Sequence, residues 1–137
     1  MEWTYDKLKV GDKDSVTKKI TAKEIEVFAD LSTDNNPIHL NEEFAKTSIF
    51  GKRIAHGFLT ASLITGVVGR KIPGYGAIYM SQTFKFMKPV FIDDTLTAWA
   101  EVKEKRDDKK NLVMRTWVEN QDGVVVLDGE ALLKFNK

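Results

Sequence analysis

Residues 57–70 read GFLTASLITGVVGR and form the longest apolar stretch of the chain. Apolar side chains fall on almost every side of a helix drawn through this stretch, which is typical of a helix buried inside a protein. The stretch is too short to cross a membrane, which takes roughly 20 apolar residues. A glycine inside a helix costs about 1 kcal/mol relative to alanine. We therefore expect tight packing against a sheet at the small residues Gly57, Ala61, Gly66 and Gly69.

After residue 76 the hydrophobic pattern changes from helical to alternating. The even-numbered residues from 78 to 86 share one face of a predicted strand, and the odd-numbered residues share the other. Asp122-Gly123 is a hairpin signal, and residues 10–20 are predicted to add an N-terminal strand. The remaining predicted features are an inward-facing set at residues 96, 98, 100 and 102, a charged turn at 107–111, a strand at 112–119 and a last strand at 124–135.

Two shorter helices are predicted before the apolar stretch. Thr21 and the glutamate three residues later form a capping box, which starts a helix that ends near Leu31. Asn41 caps a second helix over residues 42–46, with two acids in its first turn. The breaker cluster at residues 32–37 forces the chain to turn between the two helices, because the residue before a proline does not continue an α-helix.

Early helices followed by an antiparallel meander predict an α+β fold. The antiparallel sheet is expected to wrap around the central apolar helix at residues 57–70. A length of 137 residues fits one ordinary domain, and no internal repeat or linker divides the chain. We therefore predict a single domain over residues 1–137.

The amino-acid composition argues against several kinds of binding partner and excludes several kinds of site. Lysine and arginine number 21 against 20 acids, for a net charge of +1, and no basic tract stands out. This balance argues against nucleic acid or an anionic membrane as a partner. The chain has no cysteine, which excludes disulfides, zinc-thiolate sites and thiol nucleophiles and fits the cytoplasm. Its first residues have neither the basic nor the apolar region of a secretion signal, so we expect a cytoplasmic protein.

Asp34 and His39 are the first candidate catalytic residues. They stand on either side of Pro37, and the turn at this proline would bring both side chains to one side of a loop. A carboxylate hydrogen-bonded to an imidazole fixes its tautomer and raises its basicity, which produces a base suited to neutral pH. The structural alternative is that Asp34 caps a turn and His39 only packs. Spacing alone favours that alternative.

His56-Gly57 is the second candidate, because the apolar helix begins there. The first turn of a helix has unpaired amides and a partial positive charge, which stabilise developing negative charge on a ligand. A glycine at this position lets a carbonyl oxygen approach the backbone amide. An ordinary loop-to-helix junction remains the alternative.

Ser62 and Thr65 are hydroxyl residues on the apolar helix. Each hydroxyl either bonds back to a carbonyl of its own helix, the usual fate of buried helical hydroxyls, or positions a water or a substrate. The sequence lacks a nucleophile elbow, a phosphate-binding loop and a dinucleotide-binding glycine pattern. A metal site formed by Asp34, His39 and His56 is conceivable, but no ligand spacing suggests one, so we expect no metal.

Five motifs in register resemble the MaoC-like family and are most similar to the (R)-specific enoyl-CoA hydratases, which have a hot-dog fold. The motifs lie at residues 28–39 (FADLSTDNNPIH), 54–59 (IAHGFL), 61–63 (ASL), 73–79 (PGYGAIY) and 86–90 (FMKPV). Together they span residues 28–90 of the chain. The resemblance implies that Asp34 and His39 are the catalytic pair. It also implies that the Gly57 amide polarises the thioester carbonyl.

The resemblance further implies a reversible syn addition of water to a trans-2-enoyl thioester, giving the (R)-3-hydroxyacyl product. The acyl chain is expected to run along the apolar helix, with Thr65, Ser62, His56 and Val68 binding the substrate. Thr65 corresponds to a small hydroxyl residue of the family, and Ser62 is the second choice. No cofactor is expected, since the coenzyme A thioester is itself the substrate.

The same resemblance implies a homodimer or a higher homo-oligomer that acts on an acyl-CoA, or an acyl-carrier-protein, thioester in fatty acid metabolism. Two other functions remain open at this point. A hot-dog acyl-CoA thioesterase would hydrolyse the thioester, and a non-catalytic acyl-thioester-binding subunit would bind it without turnover. Retention of both Asp34 and His39 favours the hydratase.

Overall fold

The computed structural model describes residues 2–137. The chain forms, in order, β1 (Lys13–Lys19), α1 (Ala22–Ser32), α2 (Pro37–Leu40), α3 (Glu42–Lys46), α4 (Gly57–Arg70), β2 (Ile78–Phe86), β3 (Thr95–Arg106), β4 (Asn111–Glu119) and β5 (Val125–Lys134). The predicted helices and strands are present with small differences at their ends. Thr21 caps α1, and its hydroxyl accepts a hydrogen bond from the Glu24 amide at 3.3 Å.

The strands form one sheet in the order β1-β3-β4-β5-β2, and every neighbouring pair is antiparallel. Helix α4 packs on β3, β1 and β4, so the sheet curves around it. This arrangement confirms the predicted α+β fold. β1 and β2 lie at the two edges of the sheet.

The core lies between α4 and the concave face of the sheet. Ile64, Val67 and Val68 of α4 are almost fully buried there. They face the alternating β3 set Leu96, Ala98, Ala100 and Val102, all at most 1% exposed, which confirms the predicted inward-facing set. Burial of an aliphatic side chain contributes about 1.5–3 kcal/mol, so this layer fixes the position of α4 and of the loop before it.

One side of α4 is open in the described chain, which corrects the expectation of a helix buried all round. Phe58 is 65% exposed, and Ser62 and Thr65 are also exposed. The expectation of tight packing at the glycines holds at Gly57, where a Cβ would lie 2.7 Å from the Phe86 ring. It is wrong at Gly69, because among residues 2–137 no atom beyond its own stretch of α4 would lie within 4 Å of a Cβ there.

The face assignment predicted for β2 is partly wrong, because the register of β2 against β5 shifts between Tyr79 and Ser81. A β-bulge inserts one extra residue and reverses the alternation beyond it. Tyr79 consequently lies opposite the buried Leu133, on the same face as Phe84 and Phe86, while Ile78 lies opposite Lys134 on the other face.

Candidate active site

The loop after α1 is shaped by short-range hydrogen bonds from its own side chains. Thr33 ends α1 in the left-handed region, at φ 67°. The Asp34 carboxylate then accepts a hydrogen bond from the Asn36 amide at 3.2 Å, and the Asn36 side chain caps α2 by accepting from the Ile38 amide at 3.1 Å. Pro37 occupies the first turn of α2, where its missing N–H costs nothing. The predicted turn is therefore also the start of a one-turn helix that holds His39.

His39 is 8% exposed, and its two ring nitrogens have different surroundings. Its Nδ1 lies 2.8 Å from the Ile54 carbonyl oxygen, and because a carbonyl only accepts, Nδ1 carries the proton. Nε2 is therefore the free basic nitrogen. It lies 3.8 Å from Asp34 Oδ2, which is too long for a hydrogen bond. The predicted Asp34–His39 hydrogen bond is therefore absent, and the Ile54 carbonyl fixes the tautomer instead.

The basicity of His39 also differs from the prediction. Burial lowers the pKa of His39 below its usual value of 6.5, and the nearby His56 lowers it further. The hydrogen bond to the Ile54 carbonyl and the charge of Asp34 raise the pKa but do not restore it. Asp34 has a small effect because its side chain is 53% exposed and its charge is therefore screened by water. His39 is consequently a neutral base at pH 7 rather than a strengthened one.

His56 is 2% exposed and packs against the same loop. Its Nε2 donates a hydrogen bond to the Asp34 carbonyl oxygen at 2.9 Å. Its ring stacks on His39, with ring centroids 3.8 Å apart and planes 25° apart, and Phe28 lies 4.9 Å away, also measured between centroids. The structure thus gives His56 contacts with the Asp34 loop and with His39, and its predicted contact with substrate stays a prediction.

A cavity of about 450 Å³ opens at the amino end of α4. Gly57 contributes to its wall, together with Phe50, Ile54, Ala55, Phe58, Thr60, Phe86, Met87, Lys88, Pro89, Val90, Val126 and Leu127. The first amides of a helix have no partner within it, and the His56 side chain does not cap them. The wall is apolar apart from Lys88 and Thr60 and therefore suits an acyl thioester. Within residues 2–137, neither Asp34 nor His39 lines this cavity, but Ile54, which holds His39, does.

The hydroxyls of Ser62 and Thr65 bond back to their own helix. Ser62 donates to the Leu59 carbonyl at 2.6 Å and Thr65 to the Ser62 carbonyl at 2.7 Å. Both bonds match the structural alternative, and the two hydroxyls keep their predicted substrate-binding role only as a prediction. Val68, predicted to contact the acyl chain, is 1% exposed and lies in the core.

Asp34, His39 and His56 are also the groups that offer potential metal-ligand atoms within 4.8 Å of one another. Metal ligation requires the lone pairs of both imidazoles, which lie in the ring planes, to converge on one point. The two rings stack nearly parallel instead, so this arrangement does not suit a metal ion.

Two backbone contacts of the site were not predicted. The Ile54 carbonyl orients His39, and the Arg53 Nε donates to the His39 carbonyl at 2.7 Å. Every residue has a carbonyl, so no residue type in the sequence marks these contacts. The aromatic wall formed by Phe58, Phe84 and Phe86, with centroids 5.6–6.4 Å apart, has a visible signal in the apolar alternation of β2.

A comparison with known protein families shows which family the chain belongs to. The family model described as "MaoC like domain" matches residues 9–123, which include both histidines and Asp34. The chain belongs to the MaoC-like domain family. This confirms the family predicted from the five motifs.

Individual relatives are similar in sequence to this MaoC-like protein over nearly its full length. It is 44% identical to an (R)-specific enoyl-CoA hydratase of Rhodospirillum rubrum over 127 residues, covering 93% of this chain and 88% of the relative. It is 42% identical to the (R)-specific enoyl-CoA hydratase of Aeromonas caviae over 128 residues, covering 93% and 96%. A solved R-hydratase of Pseudomonas aeruginosa superposes with a TM-score of 0.93 at 40% identity, covering 98% of this chain and 86% of that one. These similarities confirm the hot-dog fold.

Proposed function

We propose that this MaoC-like protein is an (R)-specific enoyl-CoA hydratase, which adds water reversibly to the 2,3 double bond of a trans-2-enoyl thioester. The observation that carries the proposal is the pair formed by the free Nε2 of His39 and the Asp34 carboxylate, 3.8 Å apart. The 42–44% identity to proteins named (R)-specific enoyl-CoA hydratases supports this reaction.

The gap between His39 and Asp34 suits a water molecule. A water placed between them could lie within hydrogen-bonding distance of both Nε2 and the carboxylate, because 3.8 Å is shorter than two hydrogen-bond lengths. His39 then accepts a proton from this water as the oxygen attacks C3 of the thioester. The same pair returns a proton to C2 on the same side, which gives syn addition.

The amino end of α4 supplies the second half of the chemistry. Attack at C3 moves charge onto the thioester oxygen, and the uncapped Gly57 amide together with the helix dipole stabilises that charge. Loss of a comparable donor costs on the order of 100- to 1,000-fold in rate in other enzymes. The apolar cavity beside Gly57 would hold the thioester, and no additional cofactor enters the proposed reaction.

Substitution of the pair tests the proposal directly. We expect Asp34→Asn and His39→Ala each to reduce hydration of crotonyl-CoA by at least about 100-fold, because each removes a proton-transfer group. The assay is the loss of absorbance of the enoyl thioester in ultraviolet light. Circular dichroism and thermal unfolding provide the control for folding. Wild-type rates in either folded variant would refute the assignment.

The substrate carrier and the location in the cell belong to the same proposal. A panel of enoyl-CoAs of four to twelve carbons, with a matching acyl-carrier-protein substrate, would test the carrier and the acyl length. The cytoplasmic location rests on the lack of cysteine and stays a prediction, which cell fractionation tests. No helix within residues 2–137 has both the length and the hydrophobicity to span a bilayer.

We also propose that the protein is a homodimer that pairs through β2. This edge strand is hydrogen-bonded to β5 alone, and Ile78, Tyr79, Met80 and Phe86 on it are 38–56% exposed. A long edge strand with exposed apolar side chains is a template for pairing with another chain. A second copy that extends the sheet would cover these side chains.

A further inference from the structure

We propose that His56 is a positioning residue, which holds both members of the Asp34–His39 pair in place. This inference rests on the proposed hydratase function. His56 is 2% exposed, is the residue before Gly57, and touches the Asp34 loop on one side and the His39 ring on another. It therefore links the catalytic loop to the start of α4.

The first contact fixes the backbone that carries the carboxylate. His56 Nε2 lies 2.9 Å from the Asp34 carbonyl oxygen and, since that oxygen only accepts, donates its hydrogen. The two residues are 22 positions apart in the sequence. Asp34 has an exposed side chain, so its position relies on this backbone hydrogen bond and on the local turn at Asn36.

The second contact fixes the plane of the base. The Ile54 carbonyl holds His39 Nδ1 within the ring plane, whereas the stacked His56 ring restrains His39 from tilting. The Phe28 ring packs against His56 in turn, with the ring centroids 4.9 Å apart. These contacts aim His39 Nε2 at the gap in front of Asp34.

The hydrogen bond donated by His56 Nε2 explains why this position is a histidine in spite of an unpartnered second nitrogen. His56 Nδ1 is buried and has no hydrogen-bond partner among residues 2–137. A buried acceptor without a partner is unfavourable. A phenylalanine would stack equally well and avoid that penalty, but it would lose the hydrogen bond to the Asp34 carbonyl. The Nε2–H of His56 is therefore the feature that its site requires.

The arrangement makes a specific spectroscopic prediction, because the protein has only two histidines. His39 should be protonated on Nδ1 and His56 on Nε2, so the two rings hold opposite tautomers. Imidazole ¹⁵N chemical shifts at pH 8 in the substrate-free protein measure this directly, and His56→Phe assigns the remaining signals to His39. Equal tautomers in the two rings would overturn the proposal.

Kinetics of two variants separate the two contacts. His56→Phe keeps the stack and loses the donor, whereas His56→Gln keeps a donor group and loses the stack. We expect kcat for crotonyl-CoA to fall on the order of 10- to 100-fold in each, with KM within about twofold, since small displacements of catalytic groups have effects of this size. In His56→Gln, the ¹⁵N shifts of His39 should still report the Nδ1-protonated tautomer, because the Ile54 carbonyl that fixes it is unchanged.

The matched control is Tyr5→Phe, which also removes one donor from a buried ring, here the hydroxyl that donates to Asp107 at 2.7 Å. We expect full activity in this variant. Unchanged kcat in folded His56→Phe, or a raised KM with unchanged kcat, would overturn the positioning role. If His56→Phe does not fold, the ¹⁵N shifts of the wild type and the kinetics of His56→Gln test the positioning role. An inactive wild type with opposite tautomers would refute the hydratase proposal alone.

Discussion

His39 combines burial, a fixed tautomer and a free nitrogen, and each property has a separate origin. Packing leaves the ring 8% exposed, the Ile54 carbonyl holds Nδ1, and Nε2 faces Asp34 across 3.8 Å. Burial disfavours the charged imidazolium and lowers the pKa of His39. A base of this kind is ready to accept a proton at neutral pH because less of it is already protonated than of an ordinary histidine.

The lowered pKa predicts how activity depends on pH. The proposed base His39 must be neutral to act, so the acid limb of kcat/KM should be centred below pH 6.5, at the lowered pKa. The groups around His39 are Asp34, His56 and the Arg53 guanidinium bonded to its carbonyl. A pH profile of crotonyl-CoA hydration between pH 4.5 and 9, run in constant ionic strength, measures this. An acid limb centred above pH 6.5 would contradict the assignment of His39 as the base.

The lowered pKa of His39 also makes the folded protein less stable at low pH. The unfolded chain binds a proton at His39 near pH 6.5, whereas the folded chain resists it. Stability from this residue is therefore complete above pH 6.5 and is lost as the pH falls through the folded pKa. The unfolding free energy of the wild type should therefore fall relative to that of His39→Phe over that interval, as measured by urea unfolding at each pH.

Strand β5 approaches the backbone of β2 closely at Gly129. Gly129 lies opposite Phe84 of β2 and Thr116 of β4, and a Cβ on Gly129 would collide with the Thr83 carbonyl oxygen. Backbone atoms of a paired strand cannot move aside as a flexible side chain can. A glycine is therefore required where β5 meets β2.

Two glycine substitutions test this reading of the elements. Gly129→Ala should destabilise the protein by at least about 1–3 kcal/mol, because overpacking forces the backbone to shift. Gly69→Ala is the control, since a Cβ there meets no atom within 4 Å, and it should be neutral or stabilising by up to about 1 kcal/mol. Urea unfolding followed by circular dichroism measures both. Equal stability of the two variants would contradict the proposed clash.

At the scale of the whole molecule, the sheet closes around α4 but leaves β1 and β2 as its edges. β2 is the edge with exposed apolar side chains, among them Ile78 at 56% and Met80 at 54%. A charge on a strand edge opposes pairing with another chain. The proposed dimer can therefore be weakened at β2 without altering the core.

The double substitution Ile78→Lys and Met80→Lys should shift the protein from dimer to monomer. Size-exclusion chromatography with light scattering at micromolar concentration is the measurement. Val10→Lys is the control, because Val10 is an apolar residue that is 64% exposed away from β2. A wild-type monomer, or a double variant that stays fully dimeric, would contradict pairing through β2.

Periodicity, caps and turn residues were sufficient to predict the helices, the strands and the α+β class. These signals act over a few residues, as with the Thr21 cap and the Asp122-Gly123 turn, so they are legible in the sequence. The bulge at Tyr79 was missed because it depends on the register of β2 against β5, and those strands are about 50 residues apart. The family followed from five motifs in register, and the match over residues 9–123 confirms it.

Some properties of the candidate site were predictable from the sequence, and others depend on the folded chain. Residue types and spacing made Asp34, His39 and Gly57 candidates, and the resemblance to the MaoC-like family selected them over the structural alternatives. The tautomers of the two histidines arise from contacts between residues 15 to 22 positions apart, and the lowered pKa of His39 arises chiefly from burial in the folded chain. Backbone carbonyls make those contacts, and all residues carry them, so only the folded chain selects Ile54 and Asp34 as the acceptors.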